Sequence, residues 1–192
     1  MATLEAALPT IFRQEGLLSD NKKDPGGITN YGISLRFLLK TGDLDKDGIP
    51  DGDIDGDGDI DTNDIRLMVP HKAARIYDLY FWRPNRYSSF NSQIIATKAI
   101  SLCINMIWGG ANRCLQRAIN ESIKKLDITN LRMVVADGIN GNKTIDACNT
   151  ISAIDEQVLL DQFKLKAAAY YKSIIYKGSE DFLTGWLNRA YD

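Results

Sequence analysis

With 192 residues, 44% of them apolar and 25% charged, the chain has the makeup of a globular protein of one domain or two lobes, large enough to bury a real core. It contains no apolar run of 18 residues and its first residues lack a basic n-region, so neither a transmembrane helix nor a signal peptide is expected. The net charge of −2 conceals a division: residues 43–64 hold ten Asp and one Lys, a local −9, and the remainder carries +7.

A basic body suits a polyanion, whether nucleic acid, an anionic membrane or a cell-wall polymer. The single His, His71, leaves no set of histidines for a zinc site and reads as a packing or surface residue. Cys103, Cys114 and Cys148 have no CxxC spacing and read as buried thiols.

In chain order, "LEAALPTIFRQEG" predicts a helix with Pro9 near its start and Gly16 at its end. "DPGGITNYGIS" is turn-rich and then alternates, which predicts a small hairpin. "SLRFLLKTG" predicts a short helix with Gly42 as its C-cap. Beyond the acidic stretch the spacing is helical in "HKAARIYDLYFW", "SQIIATKAISLCINMIW", "ANRCLQRAINESIKKL", "IDACNTIS", "DEQVLLDQFKLKAAAYYKSIIYK" and the closing "SEDFLTGWLNRAYD". The fold class is therefore mainly α, a helical bundle with a small β-hairpin. The aromatic stripe Tyr77, Tyr80, Phe81 and Trp82 is read as core, as are Trp108 and Trp186. The helix bearing Lys164, Lys166, Lys172 and Lys177 has two readings, a membrane-surface helix or a core helix with a solvated basic face.

Clustered carboxylates repel, and a hard divalent cation supplies the missing counter-charge. A twelve-residue calcium loop offers oxygens at positions 1, 3, 5, 7, 9 and 12 with Gly at 6. Counted from Asp53, those positions are Asp53, Asp55, Asp57, Asp59 through its carbonyl, Asp61 and Asp64, with Gly58 at the turn. Asp in place of Glu at position 12 is similar to the loops of dockerin modules. Upstream, Asp43, Asp45, Asp47, Gly48, the Ile49 carbonyl and Asp51 repeat the first part of the pattern, but Ile54 stands at position 12. This half-loop resembles thrombospondin-type calcium repeats, and a second ion there would need help from Asp53 or Asp55.

Glu15 falls at the end of the first predicted helix, Asp24 follows nine residues later, then Thr29. Glycoside hydrolysis requires a proton donor on the leaving oxygen and a second polar group for the developing oxocarbenium ion or for water. Apolar Leu17 and Leu18 beside Glu15 are expected to raise its pKa toward that of a general acid.

"EG…DPGGITNYGIS" resembles the signature of the glycoside hydrolase family 108 muramidases, phage-type lysozymes found as endolysins. The Glu, Asp and Thr spacing is also similar to the coliphage lysozyme class. "AARIYDLYFWRP", "INMIWGGANRCLQRAI", "DGINGNKTIDA" and "FLTGWLNRA" extend the resemblance, in order, over nearly the whole chain. Two positions depart from the pattern: Leu17 stands where a second Gly is usual, and Met106 where His is frequent.

The resemblance implies a lysozyme-like α+β catalytic lobe at 1–136, with the calcium loop inserted at 43–64. It implies a peptidoglycan-binding-like helical part at 137–192. Glu15 would be the acid, Asp24 and Thr29 its partners, and Asn30, Tyr31 and Asn105 substrate contacts. The bond cut would be the β-1,4 link between N-acetylmuramic acid and N-acetylglucosamine. The expected partner is peptidoglycan rather than nucleic acid, with room for peripheral contact with an anionic membrane. The expected state is a monomer, made in a host cytoplasm and released by a holin. Two other readings stay open, a lytic transglycosylase and a calcium-dependent cell-wall binding module without catalysis.

Overall fold

A computed structural model describes residues 1–20, 27–106, 109–176 and 180–192. The first helix, α1 (Leu4–Glu15), buries Leu4, Ala7 and Ile11 along one stripe. Thr3 Oγ1 accepts from the Ala6 amide at 3.3 Å, so the helix starts earlier than expected and Pro9 lies inside it. The tertiary burial of Ala7 and Ile11 outweighs the hydrogen bond that Pro9 cannot donate. Gly16, with φ +76°, ends the helix in the left-handed conformation that glycine adopts without strain.

Strands β1 (Thr29–Asn30) and β2 (Ile33–Ser34) form the expected hairpin, with Thr29 opposite Ser34 and Asn30 opposite Ile33. Tyr31 and Gly32 make its two-residue turn with φ of 48° and 74°, the left-handed pair of a type I′ turn. Ser19 bridges antiparallel to Thr29.

Ser34 then caps α2 (Leu35–Leu38), its hydroxyl accepting from the Phe37 amide at 3.2 Å. This helix stops at Leu39 rather than Gly42, because the Thr41 hydroxyl donates to the Leu38 carbonyl at 2.6 Å. The acidic stretch ends in α3 (Thr62–Arg66), and Pro70 opens α4 (Pro70–Tyr77). A π-helical turn at Asp78–Trp82 follows α4.

Four helices complete the chain: α5 (Gln93–Asn105), α6 (Gly110–Lys125), α7 (Asn142–Ser173) and α8 (Glu180–Tyr191). α7 is two helices joined at Asp155, whose φ of −156° and ψ of 92° are not helical. The Asp155 carboxylate caps the second piece at the Val158 amide, which explains the two periodic segments in the sequence.

Residues divide into two compact units, 8–84 and 1–7 with 85–192. The smaller unit packs Ile11, Ile33, Leu38, Ile65, Ile76 and Tyr77. In the larger unit, α7 buries Phe163, Ala167, Ala168 and Tyr171, so its apolar stripe is core. Gln116 of α6 ties down the turn before α7. Its amide nitrogen donates to Asp137 Oδ1 at 2.8 Å and the Ile139 carbonyl at 2.9 Å, and its oxygen accepts from the Gly138 amide at 2.8 Å. Cys114 and Cys148 are buried and burial pushes their thiols up to about 11 and about 12, which makes them packing groups. Among the described residues no helix is long and apolar enough to cross a membrane.

Candidate active site and acidic loops

Glu15 is the last residue of α1 and is half-buried. The turn of the hairpin closes against it. A β-carbon built on Gly32 would lie 2.6 Å from both Cβ and Oε2 of Glu15, so backbone without a side chain occupies the space beside the carboxylate. The turn is itself held from behind. The Tyr77 hydroxyl donates to the Tyr31 carbonyl at 2.5 Å, and the Phe12 and Tyr31 rings sit 5.0 Å apart. These contacts offset a left-handed Tyr31, a conformation that costs an L-residue about 1–2 kcal/mol.

The other expected site residues fall in different surroundings. Asp24 lies outside the described residues. Thr29 is half-buried in β1, its amide donating to the Ser19 carbonyl at 2.9 Å. Tyr31 is half-buried at the turn. Asn30, expected to face substrate, is 6% exposed, and its amide nitrogen donates to the Ile65 carbonyl at 2.9 Å and the Met68 carbonyl at 3.3 Å. An amide so buried and bonded supports the fold, and the substrate contact expected of it gives way to a structural one. Leu17 and Leu18 are 70% and 49% exposed, so they do not form the apolar pocket expected around Glu15. Asn105, in the larger unit, is exposed at the end of α5 and accepts from the Tyr171 hydroxyl at 2.8 Å.

The acidic stretch is two loops of one design. Asp43 Oδ2 accepts from the Gly48 amide at 3.0 Å, and Asp53 Oδ2 accepts from the Gly58 amide at 3.1 Å. Gly48 and Gly58 have φ of +90° and +97°, which only glycine tolerates readily, so position 6 is glycine in both for the same reason. The carboxylate oxygens of Asp43, Asp45 and Asp47 gather within 4.8 Å of one another, as do those of Asp53, Asp55 and Asp57, and those of Asp59, Asp61 and Asp64.

The two loops differ in their counter-charge. Arg75 of α4 pairs with Asp45, with Asp47 at 3.6 Å and with Asp51 at 2.8 Å. Asp51 is fully buried and also accepts from the Tyr80 hydroxyl at 2.7 Å and the Leu44 amide at 2.9 Å. The bond to Arg75 holds the Asp45 carboxyl below its usual range. Burial and the Asp51 bond push Tyr80 up to about 12.

Among the described residues no ion pair reaches the second loop, from Asp53 to Asp64; Lys72 donates only to the Ile54 carbonyl. Burial and the charges around it raise the carboxyl of Asp55, and Asp57 followed by burial raises that of Asp59. Asp64 is 1% exposed and closes the loop. Its Oδ1 accepts from the Ile54 amide at 2.6 Å, and its Oδ2 from the Asp61 amide at 2.6 Å as half of a capping box on α3. The donor set of this loop is wholly hard oxygen, and among the described residues none of its carboxylates has an ion pair, which suits calcium.

Sequence reasoning missed Gly32, Arg75 and the inward turn of Asn30. The Tyr-Gly pair at a two-residue turn was a signal for Gly32. Nothing local marks the other two, because their partners are 24 to 38 residues away.

A family model described as Glycosyl hydrolase 108 matches residues 8–106, and one described as Predicted Peptidoglycan domain matches residues 110–191. Among solved structures the chain is similar to Brucella abortus SagA at 21% identity and a TM-score of 0.67, over 97% of this chain and 88% of that one. A comparison with curated proteins finds no match.

Proposed function

The chain belongs to the glycosyl hydrolase 108 family and is a peptidoglycan-degrading glycoside hydrolase, and on that premise we propose that it is an N-acetylmuramidase with Glu15 as its acid. The observation that carries this reading is the fixed environment of Glu15: a carboxylate at a helix end, half-buried, with the bare backbone of Gly32 against it. Glu15 protonates the glycosidic oxygen between N-acetylmuramic acid and N-acetylglucosamine as the bond to the anomeric carbon breaks. Asp24 stabilises the positive charge that develops on the sugar. Water, oriented with help from Thr29, adds to the anomeric carbon and loses its proton to a carboxylate.

The second acidic loop binds one calcium ion through Asp53, Asp55, Asp57, the Asp59 carbonyl, Asp61 and Asp64. The ion, when bound, supplies the positive charge that this loop lacks. The first loop takes its positive charge from Arg75. Calcium thereby stabilises the folded unit by mass action, and the enzyme is most stable in calcium-rich surroundings at the cell wall. Host lysis by a monomer released from the cytoplasm is the biological role this reading favours.

The test is mass spectrometry of soluble products from purified sacculi, for wild type and Glu15→Gln, each with calcium and with chelator. Reducing N-acetylmuramic ends from wild type and none from Glu15→Gln support the proposal. Products ending in 1,6-anhydro sugars would identify a lytic transglycosylase instead, and unchanged cleavage by Glu15→Gln would remove that residue from the chemistry.

A further inference from the structure

The second acidic loop and Glu15 are joined by a short series of contacts, all within residues 8–84. Asp64 and Asp61 cap α3 at its start. α3 has only five residues, too few for a helix to hold itself in water. Its far end is held by Asn30, whose amide nitrogen donates to the carbonyl of Ile65, in the last turn of the helix, and to that of Met68, two residues beyond it. Asn30 is also one member of the pair closest to the hairpin turn, opposite Ile33. Two residues on, Gly32 abuts the Glu15 side chain.

We propose that Asn30 is a positioning residue that links the order of the 53–64 loop to the placement of Glu15. The link works in both directions. A loop fixed by its ion fixes α3 and the residues just after it, whose Ile65 and Met68 carbonyls hold Asn30 and so seat the turn against Glu15. A seated turn likewise supports α3 and tightens the loop's hold on the ion, because coupling between two sites is reciprocal in their binding free energies. The proposal rests on the calcium reading of that loop, and it assigns no contact with substrate to Asn30. The enzyme's dependence on calcium is then one of geometry at the acid as well as of stability.

Hydrogen exchange of the wild-type chain, with calcium and with chelator, separates the two ideas without any mutation. The expected result is added protection both in residues 53–64 and in the hairpin at 29–34. Protection confined to 53–64 would overturn the coupling and leave the calcium reading standing. No added protection anywhere would overturn both.

Calorimetric calcium titration and sacculus kinetics of Asn30→Ala and Asn30→Ser give the second arm. Asn30→Ala is expected to weaken calcium about tenfold, within the range coupling energies span, and to lower kcat with KM nearly kept. Asn30→Ser, which retains one donor, is expected to recover part of both. Calcium affinity equal to wild type in Asn30→Ala would refute the link. So would a rise in KM with kcat unchanged, which would return Asn30 to the substrate.

Discussion

Gly32 stands so close to Glu15 that a β-carbon on it would come within 2.6 Å of the carboxylate oxygen Oε2. The hairpin turn therefore lies directly against the Glu15 side chain, with no room for a larger residue at position 32. Gly32→Ala meets two obstacles, this contact and a φ of +74° that alanine adopts at about 1–2 kcal/mol. The expected outcome is a lower melting temperature and a fall in kcat of about a hundredfold, since displacing a catalytic group by 1 Å has that order of effect. Activity near that of wild type would mean that the Glu15 position set by this turn is unimportant.

Asp64 and Asp59 make a contrasting pair. Asp64 is 1% exposed and binds backbone amides on both sides of the loop, whereas Asp59 is exposed and is expected to give an ion only its carbonyl. In calcium-free buffer, Asp64→Ala is expected to lose about 2–4 kcal/mol by urea unfolding, from orphaned amides and a lost helix cap. Asp59→Asn is expected to fall within about 0.5 kcal/mol of wild type and to bind calcium within about threefold. A large loss of affinity in Asp59→Asn would place its carboxylate among the ligands.

Arg75 predicts the stoichiometry. Titration calorimetry should find one calcium per wild-type chain, because the first loop already has its cation. Arg75→Ala should lower stability by about 2 kcal/mol, since it leaves buried Asp51 without its charge partner while Arg75 itself is partly solvated. In that variant calcium is expected to recover part of the loss by entering the first loop, raising the stoichiometry toward two. Two ions in the wild type would show that Arg75 does not replace one.

Lys98 predicts a pH dependence in the larger unit. It is 6% exposed, donates to the Arg189 carbonyl at 2.5 Å, and burial followed by nearby Lys164 lowers its pKa to about 8. Below pH 8 the group is charged in both folded and unfolded chains, and the folded chain bears the full penalty of the buried charge. Between pH 8 and the unfolded value near 10.5 the folded chain binds fewer protons, so stability rises with pH. The melting temperature of Lys98→Met minus that of wild type should therefore decrease from pH 7 to 9.5. A constant difference would show that Lys98 does not titrate in this window.

Much of the architecture was legible because helices write their spacing into the chain. The break at Asp155 could be read directly, since a capping Asp divides two periodic segments. The twelve-residue acidic loop was legible from its spacing and from Gly58. What could not be read depends on distant partners. Asn30 sits in a stretch that reads as a polar turn, and only the carbonyls of Ile65 and Met68 draw it inward. Leu17 and Leu18 invite burial by type, yet among the described residues they are exposed. Asp51 matches a ligand position by spacing, but a guanidinium 24 residues away also claims it. Pro9 suggested a helix start, and the buried stripe around it carries the helix through.

The cation on the first loop also fixes how much disorder the second can have. Arg75 belongs to α4 and cannot diffuse away, so residues 43–51 are tied to that helix without an ion, and the chain enters the second loop at Asp53 from a held point. The chain leaves through Asp64, which caps α3. The conformational freedom an ion must quench is then that of the second loop and the short helix it leads into, not of the whole acidic stretch. With about 1–2 kcal/mol of entropy per freed residue, a cation held by the second loop would have less chain to order, and would bind correspondingly tighter, than one that had to gather the whole stretch.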